Sequence, residues 1–538
     1  MNIQTFLKRP WLAILLIWAF ATAINIQKPF QGDDGFHLEA AKHIVKDPLH
    51  PMSGIIRWDR PEPEPMYKAN QPPLLFFMIA GVSLIAGFNE VPMHLLTAVF
   101  SFLALFWFYK IAVLYQVKRP VLLVALLGLC PAFVVNQNIM TDIPLLALLL
   151  GMVYNLLLAE KSGYYKYNII AILMLTAGLF IKYSFLPVAA AVAAIFYMRK
   201  QYKNLRLLLI PVFCLILWSI WNYLEFGGFH LLQRSTTPLF SRWNMLWSYF
   251  ACLGSIATIS LFSLNYLLKG RLKMSTLFFL TALFLLVTIY SYYTSSLENK
   301  TLNRILEFVF FFNGLIILWP VLQIVRGYYK EVGQRKFMAS NEGLFTVLAL
   351  FLSVFMILLA PFMASRHILL VLPFIMLLSA PIFERFTTGL VPFSIITALL
   401  FSLILGISDW QFAAFYRDAA RELKKSAPPQ SRLWASGTGG WQWYARQNGI
   451  MEYTVETADI KPGDFLFVPR NLSHYRVDSK IQYTLITKIW GNDINLLSYI
   501  NARESSMYRT LWGMPTWSLS RKPIDTVYVL QCTGLIEP

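Results

Sequence analysis

The sequence predicts an α-helical polytopic membrane protein with a soluble α/β domain at its C-terminal end, and three observations carry that prediction. Of the 538 residues, 57% are hydrophobic and 14% charged, and the mean hydropathy of +0.54 excludes an ordinary soluble globule. Apolar blocks of about membrane-spanning length recur from residue 11 to residue 408, separated by short polar loops. Residues 409–538 return to soluble composition, so the chain divides into a membrane domain, 1–408, and a tail domain, 409–538.

The first block, 11–27, follows Lys8 and Arg9 and ends in the small residues of ATA at 21–23. That pattern fits a cleaved signal peptide, but the Trp- and Phe-rich run and the many blocks after it favour a retained signal anchor. The net charge of +18 would suggest nucleic acid in a soluble protein. Here the basic residues collect in alternate short loops: Lys8 and Arg9; Lys110, Lys118 and Arg119; Lys161 and Lys166; Arg199 to Arg206; Lys269 to Lys273; Arg326 to Lys336. Such clusters mark the cytoplasmic side of a membrane. Cys130, Cys214 and Cys252 lie in apolar blocks and Cys532 stands alone in the tail, so the tail has no internal disulfide.

Neighbouring basic clusters should enclose two spans, and only residues 10–110 break the rule, with three apolar blocks. The weakest of these, 73–88, reaches only about 24 Å as a helix against a hydrocarbon core of roughly 30 Å. It reads as an interfacial or half-inserted helix after an outer loop, 28–72. The spans are then 11–27, 93–115, 120–138, 143–159, 167–181, 184–198, 207–223, 244–268, 275–293, 305–325, 344–362, 367–383 and 390–408. That is about thirteen transmembrane helices, with the N-terminus inside and the tail domain outside.

This topology brings unusual polar groups to one face. Asp33 and Asp34 in GDDGFHLEAAKHI, Asp142 in NIMTDIPLL, Lys182 in GLFIKYSFLP, the loop from Glu225 to Arg242, Glu298 with Arg304, and Arg366 with His367 in MASRHILLVLPF all fall outside. Polar residues at outer span ends can line one water-filled cavity. The aspartates suit general-base work, and Asp33 with Asp142 suits a hard divalent ion such as Mg or Mn. GDDG is also ordinary turn composition, and the shared face tips it toward chemistry. Lys182 and Arg366 interrupt apolar stretches where an ionised group is costly. They either snorkel to the interface or capture phosphate, Arg366 by its planar fork and Lys182 as a point charge.

KANQPPLLFF, 68–77, starts the half-inserted helix with a proline pair and sets Lys68, Asn70 and Gln71 beside the carboxylates. His37, His43 and His50 lie near Asp33 and Asp34 but form no zinc-ligand pattern. The outer aromatics Trp58, Tyr67, Trp243, Trp247, Tyr292 and Tyr293 read first as an interface belt. In the tail, WASGTGGWQWYARQNG follows a strand-like run and enters a helix, yet lacks the Lys-Ser/Thr of a nucleotide loop. FLFVP, YTLITKIW and DTVYVLQC read as strands and 412–426 as a helix.

Together GDDGFHLEAAKHI, QPPL, MTDIPLL, FIKYSFLP and SRHILLVLPF, in this order and on this side, resemble the GT-C glycosyltransferases. Within that superfamily the chain looks like the bacterial relatives of protein O-mannosyltransferases and of the lipid A aminoarabinose transferase. SGTGGWQWYARQNG followed by KPGD resembles the periplasmic domain of many bacterial members. The resemblance implies the GT-C fold in a bacterial inner membrane. It implies transfer of a hexose or pentose from a polyprenyl (undecaprenyl) phosphate to a hydroxyl of a periplasmic-side acceptor: lipopolysaccharide or lipid A, another glycan, or a protein. It also implies Asp34 or Asp33 as base, inversion, donor phosphate held by Lys182 and Arg366 with Lys68 nearby, and Asp142 shaping the site or binding a metal where one is used. Asn70, Gln71, His37 and Tyr67 would shape the acceptor side. The aminoarabinose transferase carries a Glu-Lys pair where Asn70 and Gln71 stand, which argues against identical substrates.

Two other readings use the same composition. A lipid-linked glycan transporter or flippase would show interrupted spans and midplane charges, whereas these charges sit at outer span ends. An O-antigen ligase or polymerase would place key basic residues on a large central outer loop.

Overall fold

The computed structural model of the protein describes residues 9–56, 63–69, 71–233, 240–294, 300–384, 389–454, 459–491, 507–510, 514–518 and 523–535. The chain enters through α1, Pro10–Asn25, whose proline sits in the first turn, where a missing N–H costs nothing. Gly32, in the left-handed region at φ 51°, turns the chain into α2, Asp34–Lys46. A two-residue antiparallel pair, β1 (Ile55–Ile56) with β2 (Glu64–Pro65), leads to a 3-10 turn, Met66–Ala69. The proline pair then delivers α3, Leu74–Ala86, thirteen residues long, followed by α4, Glu90–Leu114.

The centre of the bundle is α5, Asp142–Ser162, packed between α4 and α6, Tyr165–Ile181. Its apolar window is 83% buried, whereas that of Tyr202–Phe226 is only 11% buried and turns its leucines and aromatics outward. An apolar helix needs no amphipathic face when its surroundings are apolar on every side.

Among the described residues six helices are long and apolar enough to cross a membrane, or seven if one bent pair is a single span. Several expected spans are interrupted. The block 120–138 forms Pro120–Gly128 and Pro131–Val135, broken where Pro131 has no N–H to donate. The block 244–268 forms Arg242–Ile256 and Ser260–Leu267, bent by 99°. Asn313 steadies that corner by donating to the Gly254 carbonyl at 2.5 Å and to Ser260 Oγ at 2.9 Å. The block 367–383 becomes Ser365–Ile368, Leu372–Leu378 and Ala380–Glu384, with Pro373 in the first turn of the middle piece. Conversely, the block 390–408 does not stop. With no proline between Pro392 and Pro428, it runs on as α7, Leu390–Ser426, and absorbs the helix expected at 412–426.

Beyond α7 lies a five-stranded mixed sheet of order β4-β3-β5-β7-β6. Its strands are β3 (Leu433–Ala435), β4 (Met451–Glu452), β5 (Phe465–Pro469), β6 (Ile481–Trp490) and β7 (Thr526–Leu535). β3 runs parallel to β4 and β5, and β7 is antiparallel to β5 and β6. The strands expected from FLFVP, YTLITKIW and DTVYVLQC are β5, β6 and β7. One further helix, α8 (Gly440–Gln447), connects β3 to β4 and faces the membrane domain.

Candidate active site

Four charged groups from distant stretches meet where α2 and α5 begin. Arg366, on the short Ser365–Ile368 helix, stands between two carboxylates, with Nη2 3.4 Å from Asp33 Oδ2 and Nε 3.4 Å from Asp142 Oδ2. Lys182, in the extended residue after α6, approaches Asp142 Oδ1 at 4.0 Å. Two carboxylates and two cations make the cluster neutral, which is what permits charge here at all. Asp33 and Lys182 are its outward members, with 23% and 17% of their side chains exposed, against 6% for Arg366 and 4% for Asp142.

Asp34 is adjacent in sequence but differently placed. It is fully buried, and its carboxylate accepts from the Gln31 backbone N–H at 2.9 Å and the Ile139 N–H at 2.8 Å. It therefore joins the loop before α2 to the turn before α5. Burial pushes its carboxyl up to about 7, against the two backbone donors and the Lys28 charge. Because this lies above the unfolded value of about 4, the native state binds more protons than the unfolded state across that interval. The resulting stability is fully present below about pH 4 and is lost as pH rises through about 7. We expect the melting temperature in lipid nanodiscs to fall between about pH 5 and pH 8, and Asp34→Asn to flatten that slope. An equal slope in both proteins would assign the dependence to another group.

His37 is buried behind the carboxylates. Its Nδ1 donates to the Ile139 carbonyl, and its Nε2 lies 3.2 Å from the Gln71 amide. Burial lowers its pKa, so the ring is neutral near pH 7 and braces the turn at Ile139. Tyr67 is buried in a neighbouring aromatic group, stacked on Phe226 at 4.5 Å and accepting from Gln233 Nε2 at 3.1 Å. Lys68 is exposed, and no ion pair among the described residues joins it to the cluster. Asn70, Trp58 and Glu298 lie outside the described residues. His43 and His50 form a separate exposed group with Ser53 and Asp47. Trp247 stacks on Phe311 at 4.0 Å, while Trp243 is exposed.

A divalent cation does not fit the residues as they stand. The Arg366 guanidinium lies between Asp33 and Asp142, where such an ion would bridge them. Among the described residues no group of three or more His, Cys, Asp or Glu is arranged to hold a metal.

Two features escaped the sequence reading. Lys28 and Asp409 form an ion pair of 2.9 Å with both side chains fully buried, and Lys28 also donates to the Val135 carbonyl at 3.0 Å. The available signal was a lysine at the outer end of a first span, against the topological bias, and a carboxylate within the last apolar helix. The second feature is the role of GTGG. A Cβ on Gly440 would lie 2.2 Å from the Phe30 carbonyl, so only glycine lets α8 seat on the acidic loop. Tyr444 completes the seat, accepting from Phe30 N at 2.8 Å and donating to Glu90 Oε1 at 2.9 Å, while Arg446 pairs with Glu39. Glycine at 439 and 440 serves close backbone packing against the loop of Phe30 and Gly32.

Residues 70–223 match the family model for dolichyl-phosphate-mannose-protein mannosyltransferases, which bears out the glycosyltransferase resemblance of the sequence. Among solved structures, ArnT from Cupriavidus metallidurans bound to undecaprenyl phosphate aligns over 98% of each chain at 10% identity, with a TM-score of 0.49. The Archaeoglobus fulgidus oligosaccharyltransferase tethered with an acceptor peptide aligns over 83% of this chain and 64% of that one, at 12% identity and a TM-score of 0.48. The S. cerevisiae protein O-mannosyltransferase Pmt1-Pmt2 complex bound to the sugar donor aligns over 41% and 34%, at 15% identity and 0.32. No curated protein sequence matches the chain.

Proposed function

We propose that this protein is a membrane glycosyltransferase that moves a sugar from a polyprenyl phosphate, undecaprenyl phosphate in a bacterium, to a hydroxyl of an acceptor at the outer face of the inner membrane. The observation that carries the reading is the neutral four-charge cluster with Asp33 and Lys182 as its exposed members. The mannosyltransferase family match over residues 70–223 supports the same chemistry. Asp33 is the base, because Asp34 is closed off by backbone donors on both oxygens.

In this reading Asp33 takes the acceptor hydroxyl proton as the oxygen attacks the anomeric carbon. The bond from that carbon to the phosphate oxygen breaks, and the polyprenyl phosphate leaves with its added negative charge facing Arg366 and Lys182. Attack and departure on opposite faces invert the anomeric centre. Asp142 holds the Arg366 fork from behind. Arg366 and Lys182 supply the positive charge that a metal would otherwise bring. The topology we assign has about thirteen crossings, a cytoplasmic N-terminus and a periplasmic tail domain, 409–538. The acceptor is a lipopolysaccharide, another glycan or a protein.

The test is mass spectrometry of envelope glycans and lipid-linked sugars in a strain lacking the protein and the same strain with it restored. Loss of one glycan modification, with its undecaprenyl-phosphate sugar retained, identifies transfer together with sugar and acceptor. Unchanged glycans with an altered lipid distribution across the membrane would instead identify a flippase.

A further inference from the structure

We propose that Tyr508, delivered by the tail domain, is a positioning residue of this site: it fastens together the two backbone segments that hold Asp34 and supports the Arg366 guanidinium. The assignment deepens the transferase reading and rests on it. Residues 507–510 lie against the segment that precedes Arg366. Ser365 donates to the Met507 carbonyl through both its backbone N, at 3.1 Å, and its Oγ, at 2.8 Å. Thr510 N donates to the Met363 carbonyl at 2.8 Å, making a single antiparallel bridge. Residues 507–510, which fall between β6 and β7 in sequence, thus pack on the segment that leads into the cluster's central cation.

This seat aims the Tyr508 phenol at three partners. Its oxygen accepts from Gln31 Nε2 at 2.6 Å and from Asn138 Nδ2 at 2.8 Å, and its proton goes to Asp409 at 2.9 Å. One donor and two acceptor sites exhaust what a phenol offers. Burial, then the Asp409 charge, pushes this phenol well above its ordinary value, so the donated proton stays on the oxygen. Gln31 supplies one of the two backbone N–H groups that hold the Asp34 carboxylate, and the residue after Asn138 supplies the other. One hydroxyl therefore pins both sides of the clamp. The Lys28–Asp409 pair anchors it from below, and Gln31 Nε2 also donates to Asp409 Oδ2 at 2.9 Å. The Tyr508 ring lies 5.8 Å from the Arg366 guanidinium, within reach of a cation–π contact.

The hydroxyl and the ring therefore have separable duties, and two variants of the full chain in lipid nanodiscs separate them. Tyr508→Phe removes the acceptor of two buried amide donors but keeps the ring. Hydrogen exchange of peptides spanning 27–36 and 136–142 should speed up roughly tenfold, while affinity for undecaprenyl phosphate stays at the wild-type level. Tyr508→Ala should show the same exchange and also bind undecaprenyl phosphate several-fold more weakly. General loss of folded protein would raise exchange everywhere, and Tyr483→Phe, exposed on β6, serves as the silent control. Unchanged exchange in Tyr508→Phe, or wild-type affinity in Tyr508→Ala, overturns the positioning role. A wild-type protein that does not bind undecaprenyl phosphate overturns the transferase reading instead, and the exchange arm still decides the placement of Tyr508.

Discussion

Asp33→Asn lowers the rate of sugar transfer by about 10²-fold or more, the scale on which a positioned general base contributes. The amide keeps the size of the carboxylate and can still accept from Arg366, so the cluster retains its shape while losing the proposed base. The Asp33 side chain does not cap the helix it precedes, so the cost to the fold lies in the lost charge contact with Arg366. Asp34→Asn makes the contrasting variant. It disturbs a buried carboxylate tied to two backbone N–H groups, so its effect falls first on stability and on the pH dependence of melting. Single-turnover transfer at saturating donor, measured on protein of equal folded fraction, compares the two. Near wild-type turnover in Asp33→Asn would remove this residue from the chemistry.

Replacing Arg366 has the second largest effect, and two substitutions divide it. Arg366→Lys keeps one positive charge but loses the planar fork that reaches Asp33 and Asp142 at once. The donor phosphate then faces a point charge that cannot hold both carboxylates apart, and affinity for the donor falls by roughly tenfold or more. Arg366→Met goes further, since Asp142 would retain only Lys182, at 4.0 Å, as the cation of this cluster. Leaving one member of a buried pair without its partner costs about 3–5 kcal/mol, so the melting temperature drops along with transfer. Thermal unfolding and undecaprenyl phosphate titration of both variants check this. Normal melting and binding in Arg366→Met would mean that the cluster neither stabilises the fold nor meets the phosphate.

The charged residues of the candidate site were legible because ionised groups stand out in apolar surroundings. Asp142, Lys182 and Arg366 each interrupt a hydrophobic run at its outer end, and the positive-inside bias placed those ends on one side. The structure brings the three together with Asp33. Tyr67 stacks on Phe226, and Lys68 forms no ion pair with the cluster among the described residues, so neither is one of its four charged members. The interruptions of the blocks 120–138, 244–268 and 367–383 were hidden because hydropathy averages over a window. A proline such as Pro131 or Pro373 leaves that average almost unchanged, and the bend at 257–259 is braced by Asn313 from another helix, which lies outside the window altogether.

Composition and charge order alone pointed to an apolar helical bundle, an α/β tail and a set of charges at the ends of apolar runs, because each is a local property of short stretches. Which of two adjacent aspartates faces water was decided by tertiary structure: the Gln31 and Ile139 amides close over Asp34, and Ile139 comes from 105 residues away. The pairing of Lys28 with Asp409 across 381 residues, the seat of Gly440 on Phe30 and the reach of Tyr508 into the site have the same origin. A hydrogen bond or an ion pair between distant segments leaves no periodicity in the chain, and only packing brings its two halves within 3 Å.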